Sequence, residues 1–134
     1  MNIRIYYEDT DCGGVVYYAN YLKYFERART HYLEERGFSV AELIGQDTEF
    51  RVTHAEVIYK SAAKYGDDLQ VETTLSANRR ISLTFSHIIR ECHSRRVVVE
   101  GSATLVAVNG AGKVKRLNPI FLNGLGFQES SPGS

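Results

Sequence analysis

The sequence has few of the residues that build disulfide frameworks and metal sites. It contains only 2 cysteines among 134 residues, Cys12 and Cys92, and they form neither a CxxC pair nor a Cys/His ligand pattern. A disulfide-rich fold and a zinc site both need more cysteines or a closer ligand spacing, so neither is expected. Two free thiols suit a reducing cytosol.

The sequence also lacks an excess of charge of one sign and any long apolar run. The 16 Lys and Arg residues balance 16 Asp and Glu residues, so the formal net charge is +0. General nucleic-acid binding needs a strong positive field, so no nucleic-acid partner is expected. No stretch approaches the ~20 apolar residues that cross a bilayer, and the first residues lack the apolar segment of a signal peptide. The sequence therefore predicts a cytoplasmic protein without membrane insertion.

What the sequence does contain is enough apolar surface for one core. Hydrophobic residues make up 43% of the chain. A chain of this length folds as one domain and can bury roughly two-thirds of its surface. We predict a single domain over residues 1–128. The Pro- and Gly-containing stretch from residue 117 is expected to become a loose tail, disordered over residues 129–134.

Hydrophobic periodicity predicts one long helix and four long strands. Apolar residues recur at spacings of three and four over residues 20–36, which predicts a helix that Gly37 ends. Ser39 opens a capping box and a second, short helical turn. Period-two alternation predicts strands at residues 50–59, 69–75, 81–89 and 97–107, after a short strand at residues 3–7. One helix can cover an antiparallel sheet that curls around it, which is an α+β architecture.

A polar, glycine-ended loop just before the predicted helix is the segment most informative about chemistry. It carries Glu8, Asp9 and Asp11. The N-terminus of the helix offers unpaired N–H groups and a partial positive charge, which can polarise a carbonyl. A carboxylate there can attack an activated acyl carbon or act as a base toward water. The same carboxylates can merely solubilise the loop or cap the helix, and composition alone favours that interpretation.

The loop sequence also resembles a known family. Asp-x-x-Gly-x-Val-x-x-x-x-Tyr resembles the signature of the 4-hydroxybenzoyl-CoA thioesterase family, and its residues here are Asp11, Gly14, Val16 and Tyr21. The longer run over residues 6–29 looks like the branch of short-chain acyl-CoA thioesterases associated with the Tol–Pal cluster. The likeness continues more loosely to Pro119.

The resemblance implies a fold, an assembly and an activity. The fold is the hotdog fold, in which a curved antiparallel sheet wraps a long central helix. The assembly is a homodimer with one continuous sheet, or a homotetramer, with active sites at the dimer interface. The implied activity is hydrolysis of a short-chain or aromatic acyl-CoA thioester to free acid and CoA. No cofactor is implied beyond the coenzyme A of the substrate, and no metal.

The resemblance further assigns roles to residues of the loop. Asp11 matches the catalytic carboxylate, and the backbone N–H of Tyr18 matches the group that polarises the thioester carbonyl. Tyr18 departs from the Tol–Pal branch, which usually has His there, and Ala62 departs from a frequent Pro. The residues expected to bind substrate are Gly14, Val16, Tyr59, Arg79 and Arg80.

The arginine pair of that set is proposed on chemical grounds, because a guanidinium suits the phosphates of coenzyme A. The pair Arg95 and Arg96 and the group over residues 113–116 are equally good candidates for those phosphates. His54 and His87 fall on strand rows and are expected to be packed or surface residues. Glu26 is expected to pair with a neighbouring arginine or with a partner chain, and Cys12 is disfavoured as a nucleophile.

Two other functions stay open. One is a different hotdog acyl-thioester enzyme such as a dehydratase, which usually needs a His beside a carboxylate, whereas the active loop here contains no His. The other is a non-catalytic hotdog protein that binds a partner or dimerises. The presence of both Asp11 and Gly14 argues against this second alternative.

Overall fold

A computed structural model describes residues 1–11, 14–16 and 19–125. The strands are β1 (Asn2–Arg4), β2 (Glu49–Tyr59), β3 (Asp68–Asn78), β4 (Ser82–Glu91) and β5 (Val97–Val108). The helices are α1 (Ala19–Glu35), α2 (Val40–Gly45) and α3 (Pro119–Gly124). All strand pairs are antiparallel, and the order across the sheet is β1-β3-β4-β5-β2. The α+β architecture predicted from the sequence is confirmed.

The long helix α1 forms because its apolar residues share one face. Its buried residues are Tyr21, Tyr24, Phe25, Ala28, Tyr32 and Leu33. The helix has 17 residues and is therefore about 26 Å long. Its bounds lie within one residue of the predicted range 20–36. Burying this face against the sheet supplies most of the stability of the helix, as is usual for amphipathic helices.

A glycine in the middle of β5 lets α1 lie close to the sheet. A Cβ atom at Gly101 would come 2.4 Å from Cε2 of Phe25 and 2.8 Å from the carbonyl oxygen of Glu56. No side chain fits at those distances, so the aromatic ring of Phe25 occupies the space that a larger residue would need. The position of the central helix depends on this contact.

The two ends of the domain differ from the prediction. The short strand expected at residues 3–7 stops at Arg4, because the Asp9 carboxylate accepts a hydrogen bond from the Tyr6 N–H and holds a 3-10 turn. The prediction of a loose tail from residue 117 is wrong for residues 117–125, which include the helix α3. Phe121 of α3 is buried, with its ring 4.8 Å from that of Phe38. Pro119 occupies the first helical position, where its missing N–H costs nothing.

The predicted boundary at residue 128 and the predicted disorder over residues 129–134 concern positions outside the described ranges, so both stay predictions. The capping box at Ser39 is confirmed, since its Oγ accepts a hydrogen bond of 3.0 Å from the N–H of Glu42. This bond satisfies one of the backbone donors at the start of α2.

Strand β2 forms one edge of the sheet. It pairs with β5 on one side and has no neighbour on the other among the strands that the structure describes. Two apolar side chains along it, Val52 and Ile58, are 52% and 51% exposed. An 11-residue edge with exposed apolar side chains is a surface on which another strand can pair.

Candidate active site

The loop that carries Asp11 is a small hairpin built by local hydrogen bonds. The N–H of Asp11 donates to the carbonyl of Val15 at 2.8 Å, and the N–H of Gly14 donates to the carbonyl of Asp11 at 3.0 Å. Thr10 and Val16 face each other as an antiparallel bridge that closes the hairpin. The carboxylate of Asp11 is half-buried, and its Oδ1 accepts the N–H of Val15 at 3.4 Å. These bonds hold the backbone of the hairpin, and the long bond from Val15 orients the carboxylate.

Gly14 is needed in this hairpin for its backbone conformation. Its φ is +80°, in the left-handed region that residues with a Cβ rarely adopt, although an added Cβ would meet no atom within 4 Å. The predicted role of Gly14 in binding substrate stays a prediction, while the structure gives it a turn-forming role.

The hairpin is pinned to the segment that follows β2. The N–H of Val16 donates to the carbonyl of Ala63 at 2.8 Å, and the N–H of Tyr65 donates to the carbonyl of Gly14 at 3.3 Å. The side chain of Val16 is buried in the core, so the structure shows it as an anchor of the loop. Its predicted contact with substrate stays a prediction.

The same loop is tied to the start of α1. The side-chain amide of Asn20 donates to the carbonyl of Asp9 at 3.0 Å. Burial raises the pKa of Tyr24 in α1, and the nearby Asp9 carboxylate raises it further, so this phenol stays protonated beneath the loop. The first turn of α1 carries the unpaired N–H groups of a helix N-terminus. Asp11 and a source of positive potential are therefore held in one region.

Tyr18, whose backbone N–H is expected to polarise the carbonyl, lies outside the described ranges, and so does Cys12, which the sequence disfavours as a nucleophile. The assigned role of Tyr18 stays a prediction.

Exposed tyrosines surround the loop. The rings of Tyr7 and Tyr65 meet edge to face at 6.1 Å between centroids, and both side chains are exposed. Tyr59, at the end of β2, has its ring 5.7 Å from that of Tyr21. Tyr59 therefore lies at the same end of the sheet as Asp11, which is consistent with its predicted role in binding substrate.

Arg79 and Arg80 lie far from Asp11 within one chain. The Asp11 hairpin contacts the segment just before β3, whereas the two arginines follow the last residue of β3, Asn78. A strand of 11 residues is about 33 Å long. Within one chain, these arginines and Asp11 are therefore at opposite ends of the sheet.

The basic side chains at the Asp11 end are different ones. Arg96 donates to the carbonyl of Ala62 at 2.8 Å and lies 3.3 Å from the Asp67 carboxylate, and Lys64 is exposed beside the hairpin. Arg95 contacts Gln70 at 2.8 Å. Of the three basic groups that the sequence suggests for phosphate binding, Arg95 and Arg96 lie at the same end of the sheet as the Asp11 loop.

A cavity of about 530 Å³ lies between α1, α2 and the edge strand β2. Its apolar lining includes Leu22, Phe25, Leu43, Phe50 and Leu105. Because Leu22 belongs to the first turn of α1, the cavity begins near the Asp11 end of the helix and continues along it. A cavity of this size and lining suits a hydrophobic group.

A charged side chain also lines the cavity, which the sequence analysis did not single out. Arg29 is half-buried, and its Nη1 lies 3.4 Å from Nε2 of His87. The ring of His87 stacks on Phe25 at 4.5 Å and contacts the Thr73 hydroxyl at 3.0 Å through Nδ1. Burial, together with the charge of Arg29, lowers the pKa of His87 to about 3. The one sequence signal was that Arg29 follows Phe25 by four residues, on the edge of the buried stripe.

No group of three or more His, Cys, Asp or Glu side chains in the described ranges is placed to hold a metal ion. Within the same ranges, no helix is long and apolar enough to span a membrane.

The curved antiparallel sheet with one long helix is the hotdog fold. The DHNA-CoA thioesterase of Staphylococcus aureus shares it, with a TM-score of 0.88 and 28% sequence identity over 94% of this chain and 87% of that one. The fold class implied by the resemblance is therefore confirmed.

The profile of the thioesterase-like superfamily matches residues 6–125, and the chain belongs to this superfamily. It is 41% identical to the acyl-CoA thioester hydrolase YbgC of Escherichia coli O6:H1 over 87 residues, and the match spans 65% of either protein. It is 41% identical to the acyl-CoA thioesterase YbgC of Haemophilus influenzae over 115 residues, which are 84% of this chain and 82% of that protein. The resemblance to a thioesterase family is confirmed.

Proposed function

We propose that this chain hydrolyses an acyl-CoA thioester to the free acid and CoA at the Asp11 loop. The observation that carries the proposal is that hydrogen bonds hold the Asp11 hairpin against the segment after β2 and the start of α1. Similarity to proteins named acyl-CoA thioester hydrolase and acyl-CoA thioesterase supports it. The reaction is proposed to need no metal or redox cofactor.

The chemistry has two routes that start from the same geometry. In the first, an Asp11 oxygen attacks the thioester carbon, the C–S bond breaks, and water then hydrolyses the mixed anhydride. In the second, Asp11 takes a proton from water, the resulting hydroxide attacks, and the proton passes to the leaving thiolate. In both routes the carbonyl oxygen becomes negative, and N–H groups at the start of α1 stabilise that charge. An acyl-enzyme trapped by acid quench and located on Asp11 would identify the first route.

The acyl group is proposed to enter the cavity between α1 and β2. The cavity begins in the first turn of α1 and is lined largely by apolar side chains. A short-chain or aromatic acyl group fits this volume and lining.

The active form is proposed to be a homodimer or a homotetramer. The exposed edge of β2 supports this, because a second copy that pairs with it would cover the apolar side chains and the open side of the cavity together. The arginines at the far end of β3 in one chain could then reach a substrate bound to another copy.

Thiol release from short, long and aromatic acyl-CoAs tests the activity, and Asp11→Asn tests the mechanism. The amide keeps the size of the side chain but lacks its negative charge, so kcat should fall about 10²- to 10⁴-fold, the range for a lost acid–base group. KM and thermal stability should change little.

Two control variants accompany Asp11→Asn. Glu8→Gln removes a charge from the exposed part of the same loop and should retain turnover, as should Tyr18→Phe, which keeps the backbone N–H. If Asp11 were only a loop residue, its variant would lose about 1 kcal/mol of stability, as for a helix cap, and keep its activity. Turnover within about tenfold of wild type, a barrier change of only ~1.4 kcal/mol, would refute the mechanism.

A further inference from the structure

Four charged side chains line the apolar cavity, Glu26, Arg29, Glu49 and Arg51, and Arg29 is the half-buried cation among them. Its hydrogen-bond partner among the described residues is a ring nitrogen, Nε2 of His87. No carboxylate of those residues lies within the 4.0 Å of an ion pair. Burial lowers the pKa of Arg29 and the charge of Glu26 raises it, so the guanidinium is only partly compensated in the apolar lining.

His87 fixes the direction of Arg29 but satisfies only one of its donors. Arginine only donates, so Nε2 must be the acceptor, and Nδ1–H then donates to the Thr73 hydroxyl. The buried ring is neutral at physiological pH, because burial and the neighbouring charge of Arg29 hold its pKa far below 6.5. A guanidinium has five N–H donors in a planar fork. Donors remain for a ligand in the cavity.

From this arrangement we propose that Arg29 binds a carboxylate at the far end of the acyl group. The chain would then prefer CoA thioesters of dicarboxylic acids to those of monocarboxylic acids of the same length. The inference rests on the proposed function, because it concerns the acyl group whose thioester is hydrolysed at Asp11. A carboxylate matches the planar fork with two parallel hydrogen bonds, and the apolar lining strengthens their attraction.

The position of Arg29 along α1 suits this role. Arg29 follows Ala19, the first residue of α1, by ten positions, which is about 15 Å along the axis. Helical side chains lean toward the N-terminus, so the guanidinium lies between that point and the start of the helix. An acyl chain whose thioester lies at the Asp11 loop can therefore point its far end at Arg29.

The acidic side chain closest to Arg29 along the helix does not act as its carboxylate partner. Glu26 lies one turn before Arg29 and also lines the cavity, but it is exposed to solvent. Water and salt screen the charge of an exposed carboxylate. Glu49, the second carboxylate of the lining, is half-buried, and its Oε2 lies 3.6 Å from Nη2 of Arg51. Because its charge is already paired, the half-buried cation that an incoming negative group can meet is Arg29.

The test compares kcat/KM for matched pairs of substrates. The pairs are succinyl- and butyryl-CoA, glutaryl- and valeryl-CoA, and adipyl- and hexanoyl-CoA. At one chain length or more, the wild-type enzyme should favour the dicarboxylic member at least tenfold. A wild-type enzyme that favours the monocarboxylic member at every length would overturn the inference and leave the proposed hydrolysis standing.

Variants then assign that preference to Arg29. Arg29→Gln keeps a polar side chain but lacks the charge, so the preference should fall about 10- to 100-fold, as for a lost charge-assisted hydrogen bond. Arg29→Lys keeps the charge without the fork and should retain part of the preference. Arg27→Gln, on an exposed face of the same helix, is the matched control and should keep all of it. A preference that survives in Arg29→Gln would refute the assignment.

A binding measurement separates this inference from the proposed function. Monomethyl glutarate and methyl valerate carry an ester in place of the thioester, with and without a carboxylate. Calorimetry should show that the wild-type protein binds the first at least tenfold more tightly and that Arg29→Gln loses the difference. This result would support the inference even if no acyl-CoA were hydrolysed. Equal affinity, or binding of neither ester, would overturn it.

Discussion

At the scale of single residues, His87 links protonation to stability. The ring is 1% exposed, and burial followed by the charge of Arg29 lowers its pKa to about 3. In the unfolded chain it titrates near 6.5. Between these two values the unfolded state binds the extra proton, so stability rises with pH and is lost as the pH falls from 6.5 toward 3. At pH 5 the loss from this residue should be about 2 kcal/mol.

Urea denaturation at pH 7 and pH 5 measures this contribution. His87→Gln removes the titrating group, so this variant should be less stable at pH 7 and should lose less stability than wild type on acidification. His54→Gln is the control, because the side chain of His54 is 62% exposed. This variant should lose as much stability between pH 7 and pH 5 as the wild type does. Parallel acid profiles for wild type and His87→Gln would show that His87 is not the cause.

Arg79 and Arg80 allow a second test at this scale. If they bind the phosphates of coenzyme A, Arg79→Ala with Arg80→Ala should raise KM more than it lowers kcat. The phosphates are remote from the reacting carbonyl, so these contacts stabilise the ground state and the transition state alike. The increase in KM should shrink in high salt.

The matched control for that pair replaces Arg95, which lies at the Asp11 end of the sheet. An unchanged KM in the Arg79 and Arg80 double variant, with a raised KM in Arg95→Ala, would move the phosphate site to the Asp11 end of the same chain. The comparison therefore also reports whether the substrate is shared between copies.

At the scale of secondary-structure elements, the contact of α1 with β5 depends on Gly101. Gly101→Ala places a methyl group against the ring of Phe25 and the Glu56 carbonyl, so one of the two elements must shift. Overpacking of this kind typically costs about 1–3 kcal/mol. The midpoint of urea denaturation should fall accordingly. Gly45→Ala is the control, since its added methyl group would meet nothing within 4 Å and should not destabilise α2. A Gly101→Ala protein as stable as wild type would contradict the close packing.

The elements were predictable from the sequence where one local pattern determines them. The stripe of α1 and the alternation in β3 and β4 are properties of consecutive residues, and the structure follows them. α3 was missed because its burial depends on Phe38, which is distant in sequence. Proline and glycine near the chain end suggested a tail, whereas Pro119 begins a helix.

The candidate site also has parts that could be predicted from the sequence and parts that could not. The Asp11 loop could be located from the sequence because its polar, glycine-ended composition and the hydrogen bonds within the hairpin are local. Its bonds to Ala63, Tyr65 and Asn20 join distant residues and could not be read from the sequence. The distance between Arg79 and Asp11 could not be predicted from the sequence, because it depends on which end of β3 contacts the loop. The contact of Arg29 with His87 joins residues 58 positions apart, so only the folded sheet brings them together.

At the scale of the whole molecule, the open edge of β2 predicts association. An unpaired edge strand with exposed apolar side chains favours pairing with another strand, and most self-association is symmetric. We expect sedimentation equilibrium to give the mass of a dimer or a tetramer at micromolar concentration. A stable monomer would contradict both the assembly and an active site shared between chains.

Charge placed on this edge tests the assembly together with the activity. Ile58→Asp puts a carboxylate on an exposed position of β2, and two copies that pair there would bring like charges together. The variant should dissociate toward monomer and lose acyl-CoA hydrolysis in parallel, because Asp11 and Tyr59 lie at the same end of the sheet. Ala41→Asp is the control, since Ala41 is exposed on α2, outside the strands that form the sheet. If Ile58→Asp became monomeric and kept full activity, each chain would hold a complete site, and the edge would serve assembly alone.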